Sequence, residues 1–274
     1  SWSVSEDGKI YTFKLRKNGR WSNGDPVTAD DFVWSWQRIL TASLGSQYPD
    51  MLYYLEGAQE YHTGVTDDFS TVGVKALDTH TLEVKLKAPT PFFTGLLSHY
   101  STWPVHRETV LKHGSIDDRN GEWTRPGNFV CNGAFNLKSW ELNNKIVVEK
   151  NPMYWDASTI KLNEIHYYPV SNVMTEDRMF RAGQLHVTST LPSQKCPVYI
   201  EENNPDLRID PYMGTYFYRL NTTNPYLSDV KVRKALAYSS DRKLLVEKVT
   251  KCGQIPASSF TPPGPNGYEP TTSI

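Results

Sequence analysis

The hydrophobic pattern near the start of the chain predicts a strand, a turn and a helix. Apolar and polar residues alternate between residues 10 and 16, the period of a strand with one covered face. Residues 21–26, Trp-Ser-Asn-Gly-Asp-Pro, are typical of a turn. Thr28 is a favourable N-cap for the helix that follows. One face of that helix carries an apolar stripe formed by Phe32, Trp36, Ile39 and Leu40.

Alternating residues further along predict two hairpins. The first spans residues 72–86, with its turn at Asp78-Thr79-His80, and is followed by a short helix that Pro91 opens. The second joins 134–140 to 145–150 through Asn143-Asn144. A third strand at 164–170 follows.

The rest of the chain alternates between predicted helices and strands. Helices are predicted from Thr175, as N-cap, to Ala182, from Ser228 to Tyr238, from Asp241 onwards, and weakly at 194–203, where Pro197 interrupts the pattern. Strands are predicted at 185–189, 207–210 and 215–221. The Pro-rich stretch after Pro256 is expected to be extended.

Composition narrows the class of protein. The 274 residues are 38% hydrophobic and 12% aromatic, enough for one large core or two to three smaller ones. Because 29 basic residues balance 30 acidic ones, no overall field attracts nucleic acid or an anionic membrane. No apolar run reaches the roughly 20 residues that span a bilayer, and the first residues show no signal-peptide pattern.

The three cysteines, Cys131, Cys196 and Cys252, lie 65 and 56 positions apart and form no closely spaced ligand pair. At most one disulfide could form, and three pairings are open. We expect ordinary, mostly buried thiols. No metal or cofactor is expected, because the chain has no zinc, dinucleotide or phosphate-loop motif.

A search for catalytic patterns favours a protein that is not an enzyme. No hydrolase elbow is present, and the seven histidines include no pair four residues apart. Neighbouring carboxylates occur at 30–31, 67–68 and 117–118, but consecutive side chains diverge and make poor acid–base partners. We interpret them as helix-start and turn residues.

Aromatic residues cluster at two places. Tyr48 and three further tyrosines follow the first helix, and four aromatic residues surround the break at 211–214 between two predicted strands. A break of this kind suits a crossing between lobes, and aromatic side chains beside a crossing often line a cleft. The alternative is that these residues belong to the core.

Six collinear motifs carry a family resemblance. They are 11–16 with 21–32, then 34–38, 73–78, 132–135, 151–156 (Asn-Pro-Met-Tyr-Trp-Asp), and 224–236 with Asp241-Arg242. Over essentially its whole length the chain resembles the periplasmic oligopeptide-binding proteins of ABC importers, within the family 5 extracellular solute-binding proteins. Dipeptide and nickel binders share several of these motifs.

The resemblance implies a mixed α/β (α+β) fold with lobes of the type II periplasmic-binding-protein kind, incomplete at both ends. Residues 1–104 would form most of the small lobe of the large peptide binders. Residues 105–212 would belong to the first ligand-binding lobe, and 213–274 would begin the second.

It also implies a function in peptide transport. Members of the family hold short peptides by the main chain between two lobes, in the periplasm or on the outer face of the cell envelope, and deliver them to a membrane permease. The chain itself would not span the membrane or bind nucleic acid. Tyr48, Tyr212 and Phe217 match ligand-lining aromatic positions, with Phe217 where many relatives have tyrosine. Charged groups that hold the peptide termini in relatives lie beyond Ile274, so we expect this chain alone to bind peptides weakly or not at all.

Two alternatives stay open at this stage. A variant of the same family would bind murein peptides for uptake or signalling. A carbohydrate-active hydrolase, the less favoured reading, would need two acidic side chains facing each other across a cleft.

Overall fold

The computed structural model describes residues 1–210, 212–264 and 268–270. It divides into two compact units, Ser1–Pro169 and Val170–Ile274.

A four-stranded antiparallel sheet forms one layer of the first unit. Its strands are β1 (Trp2–Val4), β2 (Ile10–Lys14), β3 (Val74–Asp78) and β4 (Thr81–Lys85), in the order β1-β2-β4-β3. The apolar residues of β2 lie opposite those of β4, Tyr11 against Val84 and Phe13 against Leu82. The predicted strand and the first predicted hairpin are therefore confirmed.

Helix α1 (Ala29–Leu40) covers this sheet and begins where the sequence predicts. The carboxylate of Asp31 accepts hydrogen bonds from the backbone N–H of Thr28 (2.8 Å) and from the indole N–H of Trp21 (3.2 Å). Gly24, with φ +97°, turns the chain before the helix. The start of α1 is thus fixed to the preceding turn.

The predicted stripe of α1 faces the core. Trp36 and Leu40 are fully buried and Phe32 and Ile39 pack against the same cluster, which includes residues of β2–β4. Short helices complete the unit: α2 (Ala58–His62), α3 (Phe93–Leu96) and α4 (Arg107–Lys112).

A second, three-stranded antiparallel sheet is also part of the first unit. Strands β5 (Phe135–Glu141), β6 (Lys145–Lys150) and β7 (Glu164–Tyr167) lie in sequence order. Asn143 takes a positive φ of 58° in the tight turn between β5 and β6, as its sequence predicts.

The second unit is helical. Its elements are α5 (Val173–Arg181), α6 (Cys196–Glu201), α7 (Val230–Tyr238) and α8 (Arg242–Leu245), followed by a π-helical turn at Val246–Thr250. Pro197 does not break α6, because it lies in the first turn, where a missing N–H costs no hydrogen bond.

The expectation of three ordinary thiols is wrong. Cys196 and Cys252 form a disulfide, with Cα atoms 5.5 Å apart, and Cys131 is free. Spacing alone could not select this pairing, because it depends on how α6 meets the segment that follows the π-helical turn.

Two of the predicted N-caps are displaced. The N-cap of α5 is Asn172, whose side chain accepts a hydrogen bond from the backbone N–H of Thr175. Similarly, Asp229 rather than Ser228 caps α7, by accepting from the N–H of Lys231. Asn172 and Asp229 are both residue types favoured at the N-cap, as are the predicted Thr175 and Ser228, so residue type alone could not decide between them.

The strands predicted at 185–189, 207–210 and 215–221 are wrong. These described residues form no ladder. Alternation favours an extended backbone, but a strand also needs a partner for its N–H and C=O groups, and none pairs with these stretches in the described chain. Pro211 and parts of the Pro-rich tail, 265–267 and 271–274, lie outside the described residues.

Candidate ligand-binding residues

Tyr48 is held in a cluster of three aromatic rings. It precedes a 3-10 turn at Pro49–Leu52, and its half-buried ring meets His99 edge-on at 5.1 Å and Tyr100 at 5.9 Å between centroids. His99 and Tyr100 stack at 4.3 Å. We call Tyr48, His99 and Tyr100 the Tyr48 cluster.

The Tyr48 cluster presents an aromatic surface that carries two phenolic hydroxyl groups. Desolvation and the neighbouring Tyr48 hydroxyl raise the pKa of Tyr100 above its ordinary value, so that phenol stays neutral. Nδ1 of His99 lies 2.8 Å from the hydroxyl of Ser101, which orients the imidazole. Tyr100 is 58% exposed. Exposed rings with hydroxyl groups suit ligands that offer both apolar and hydrogen-bonding groups.

The other two predicted residues lie in the second unit, on a segment without regular secondary structure, from Tyr212 to Leu220, that we call the aromatic segment. Tyr212 is 88% exposed and Tyr216 is 89% exposed. Phe217 is less exposed because it packs edge-on against Phe260, with centroids 4.9 Å apart. Phe217 is therefore anchored, whereas Tyr212 faces solvent.

A tight turn begins the aromatic segment. The N–H of Gly214 donates to the carbonyl of Tyr212 at 2.9 Å, and a Cβ at Gly214 would come within 2.5 Å of the Tyr212 ring. A larger residue at 214 would therefore displace Tyr212. The described backbone from 215 to 220 belongs to no sheet.

Sequence analysis predicted Tyr48 as a ligand-lining residue and did not single out its two ring partners. His99 and Tyr100 lie about 50 residues later in the chain. The one signal in the sequence was that these two aromatic residues are neighbours. Tyr212 and Phe217 share one segment, as predicted, and Tyr48 lies in the other unit. The roles of all three remain a prediction.

The paired carboxylates behave as helix-start and turn residues. Asp31 caps α1, Asp68 accepts from the backbone N–H of Ser70, and Asp117 accepts from the hydroxyls of Ser43 and Ser115. Asp31 and Asp68 are thus engaged in local structure, as predicted, whereas Asp117 also bonds to Ser43, 74 residues earlier in the chain.

Every helix among the described residues is too short or too polar to span a lipid bilayer.

Comparison with known proteins decides the family. The family model described as bacterial extracellular solute-binding proteins, family 5, matches residues 1–274. The chain belongs to this family. It is 40% identical over 277 residues to the periplasmic oligopeptide-binding protein OppA of Escherichia coli, covering 99% of this chain and 49% of that protein. The predicted family is confirmed.

Solved structures agree with the predicted fold class. Haemophilus influenzae OppA in complex with the peptide RPPGFSPFR superimposes with a TM-score of 0.87 at 34% identity, covering 96% of this chain and 50% of that one. The murein tripeptide binding protein MppA of Escherichia coli gives 0.90 at 34% identity, covering 100% and 52%. The fold is a mixed α/β one of the type II periplasmic-binding-protein kind. The chain spans about half the length of the curated relatives it matches.

Proposed function

We propose that this chain is part of a solute receptor that captures short oligopeptides for an ABC importer. The observation that supports it most is the 40% identity to an oligopeptide-binding protein along 99% of the chain. The same proposal includes delivery of the peptide to a membrane permease and a location in the periplasm or on the outer face of the cell envelope. It also includes the absence of catalysis. The relatives' names, which describe binding proteins, support the last point.

The proposal assigns ligand contact to Tyr48, Tyr212 and Phe217. The aromatic segment would offer its unpaired backbone to a peptide as an added strand, and its exposed tyrosines would contact side chains. The Tyr48 cluster would form one wall of a side-chain pocket. Binding the main chain, which all peptides share, gives affinity with little sequence preference. The lobes at 1–104, 105–212 and 213–274 are part of this proposal.

Murein peptides are a second candidate ligand class. Two observations favour it: the TM-score of 0.90 with MppA, and 35% identity over 272 residues to the same protein. Both classes would be held by the main chain, so the two candidates would differ in pocket chemistry and not in mechanism.

A chimera tests the function. This chain replaces the matched half of Escherichia coli OppA, so that the other half of the receptor is supplied by a protein named for peptide binding. Ligand that copurifies is identified by mass spectrometry, and affinities for trialanine, a murein tripeptide and chitobiose are measured by calorimetry. Unmodified OppA is the reference.

Mixed peptides and saturable trialanine binding would support the oligopeptide proposal. One bound muropeptide, with no trialanine binding, would favour the second candidate. A folded chimera that binds neither peptide, or that cleaves chitobiose, would contradict both.

A further inference from the structure

A buried histidine of the first unit faces two carboxylates. His106 is only 6% exposed, and its Nε2 lies 3.1 Å from Oδ2 of Asp25. Glu108 is the third member. One ligand atom from each of the three side chains lies within 4.8 Å of the others.

Two elements far apart in sequence bring these residues together. Asp25 belongs to the turn that precedes α1, where the amide of Asn23 donates to its Oδ2 at 2.6 Å. His106 is the N-cap of α4 and Glu108 lies in the first turn of that helix. The cluster therefore joins a turn to a helix about 80 residues later in the chain.

The imidazole is held in one orientation. Its Nδ1 lies 2.7 Å from the hydroxyl oxygen of Thr109, and the ring packs edge-on against the buried indole of Trp21, with centroids 5.2 Å apart. This leaves Nε2 directed at the carboxylates. Nδ1 also accepts a hydrogen bond from the backbone N–H of Thr109 at 3.3 Å, so in the metal-free arrangement Nε2 carries the ring proton and donates it towards Asp25. A cation at Nε2 would displace that proton to Nδ1, which would then donate to the Thr109 hydroxyl oxygen. The second ring nitrogen of a ligating histidine commonly donates in this way.

We propose that Asp25, His106 and Glu108 bind a divalent transition-metal cation, of which Zn²⁺ is the best probe. One imidazole and two carboxylates are a donor set that Zn²⁺ accepts, and water would complete the coordination. Two ligand atoms on a tetrahedral zinc lie roughly 3.4 Å apart, given zinc–ligand bonds of about 2.1 Å. The Nε2–Oδ2 distance of 3.1 Å is close to this value. Rotation of exposed Glu108 would bring in the third ligand.

The bound cation would tie the turn before α1 to the start of α4. A simpler explanation needs no metal: His106 donates to Asp25, and Glu108 is favoured near the positive end of a helix. The two explanations differ in what Glu108 does. It is a ligand in the first and is not in contact with His106 in the second, so its substitution discriminates between them.

Calorimetric titration of the chelator-treated 274-residue chain with Zn²⁺ tests the proposal, and Co²⁺ absorption spectra report the coordination. We expect one equivalent to bind with micromolar or tighter affinity. Glu108→Gln keeps the shape of the side chain and should weaken binding at least tenfold. His106→Gln should abolish it and remove the Co²⁺ bands. His113→Gln, at the other end of α4, is the matched control and should bind as the parent does.

Thermal unfolding gives an independent measurement. Saturating Zn²⁺ should raise the Tm of the parent and of His113→Gln but not that of Glu108→Gln. Because Glu108 is exposed, Glu108→Gln should fold, so the test stands even if His106→Gln does not fold. The proposal is wrong if no saturable binding occurs, or if Glu108→Gln binds as tightly as the parent.

Discussion

Cys196 in α6 is bonded to Cys252, just after the π-helical turn, across a sequence separation of 56 residues. Cys196 is also the one buried hydrophobic residue among the described residues of the second unit. The core of the first unit, by contrast, contains nineteen others. We therefore expect the stability of the second unit to depend on the disulfide, whereas the stability of the first unit depends on its buried hydrophobic core.

Removing this disulfide should destabilise the second unit. By loop entropy alone, a closed loop of this length contributes about 4 kcal/mol to the free energy of unfolding. Cys252→Ser, or reduction of the parent, should therefore sharply increase amide hydrogen exchange in α5, α6 and α7. Cys131→Ser is the matched control, because Cys131 is a free thiol.

Tryptophan fluorescence supplies an internal reference for that experiment. All eight tryptophans lie at or before Trp155, so their emission follows the first unit only. Unchanged exchange in the second unit after reduction would contradict the prediction. A change in tryptophan emission alone would also contradict the prediction, because it would place the effect of reduction in the first unit.

Asp177 links α5 to α6 in the second unit through an ion pair and a hydrogen bond. Its carboxylate is almost fully buried, bonded to the ammonium of Lys195 and, at 3.1 Å, to the hydroxyl of Tyr199, both beside or in α6. Asp177→Asn should lower the free energy of unfolding by about 2 kcal/mol, because it leaves the Lys195 ammonium without its counter-charge. Glu202→Gln, an exposed neighbour, should leave it unchanged. Hydrogen exchange of α5 and α6 measures both.

The same contact sets a pH dependence. Burial raises the pKa of Asp177, but the bonds to Lys195 and Tyr199 outweigh burial, so the folded pKa is below the ordinary 3.8. The stabilisation is therefore present above about pH 4 and is lost as the pH falls through the lowered folded value. Acidification from pH 6 to pH 3 should loosen α5 and α6 more in the parent than in Asp177→Asn. Equal loosening would contradict the assignment.

The success of sequence reasoning differs between the two units for a physical reason. Period-two and helical patterns succeed for β2, α1 and the first hairpin because those segments bury one face against a common core. Among the described residues of the second unit, Cys196 is the one buried hydrophobic residue. The alternating stretches at 185–189 and 215–221 therefore have no apolar core to pack against and no partner strand to pair with.

The candidate site was predicted only in part, again for identifiable reasons. Tyr48 could be picked out through the family resemblance, but its contacts to His99 and Tyr100 depend on a tertiary arrangement across about 50 residues. The sequence did not single out His106, because no other histidine lies four residues away from it. Its proximity to Asp25 is set by the docking of α4 near the turn before α1, which local patterns do not encode.

Trp36 links α1 to the loop before α4 and should be sensitive to substitution. Its indole N–H donates to the carbonyl of Thr102 at 2.8 Å in the core. Trp36→Phe removes this donor, leaves a buried carbonyl unpaired and opens a cavity, so we expect a loss of about 2–3 kcal/mol in the free energy of unfolding. Trp103→Phe, on a 59% exposed side chain, should change it by less than about 0.5 kcal/mol. Urea unfolding followed by circular dichroism would measure the two, and similar losses would contradict the structure.

The Tyr48 cluster provides the sharpest test of the proposed ligand contacts. In the chimera with Escherichia coli OppA, Tyr48→Ala removes a ring that meets His99 and Tyr100 edge-on. We expect trialanine affinity to fall about tenfold, which corresponds to about 1.4 kcal/mol. Tyr48→Phe keeps the ring, so it separates the contribution of the ring from that of the hydroxyl. Tyr238→Ala, on α7 and 69% exposed, is the matched control and should bind as the parent chimera does. If Tyr48→Ala folds and binds trialanine with unchanged affinity, Tyr48 is not a ligand contact. The proposed pocket wall at the Tyr48 cluster would then be wrong.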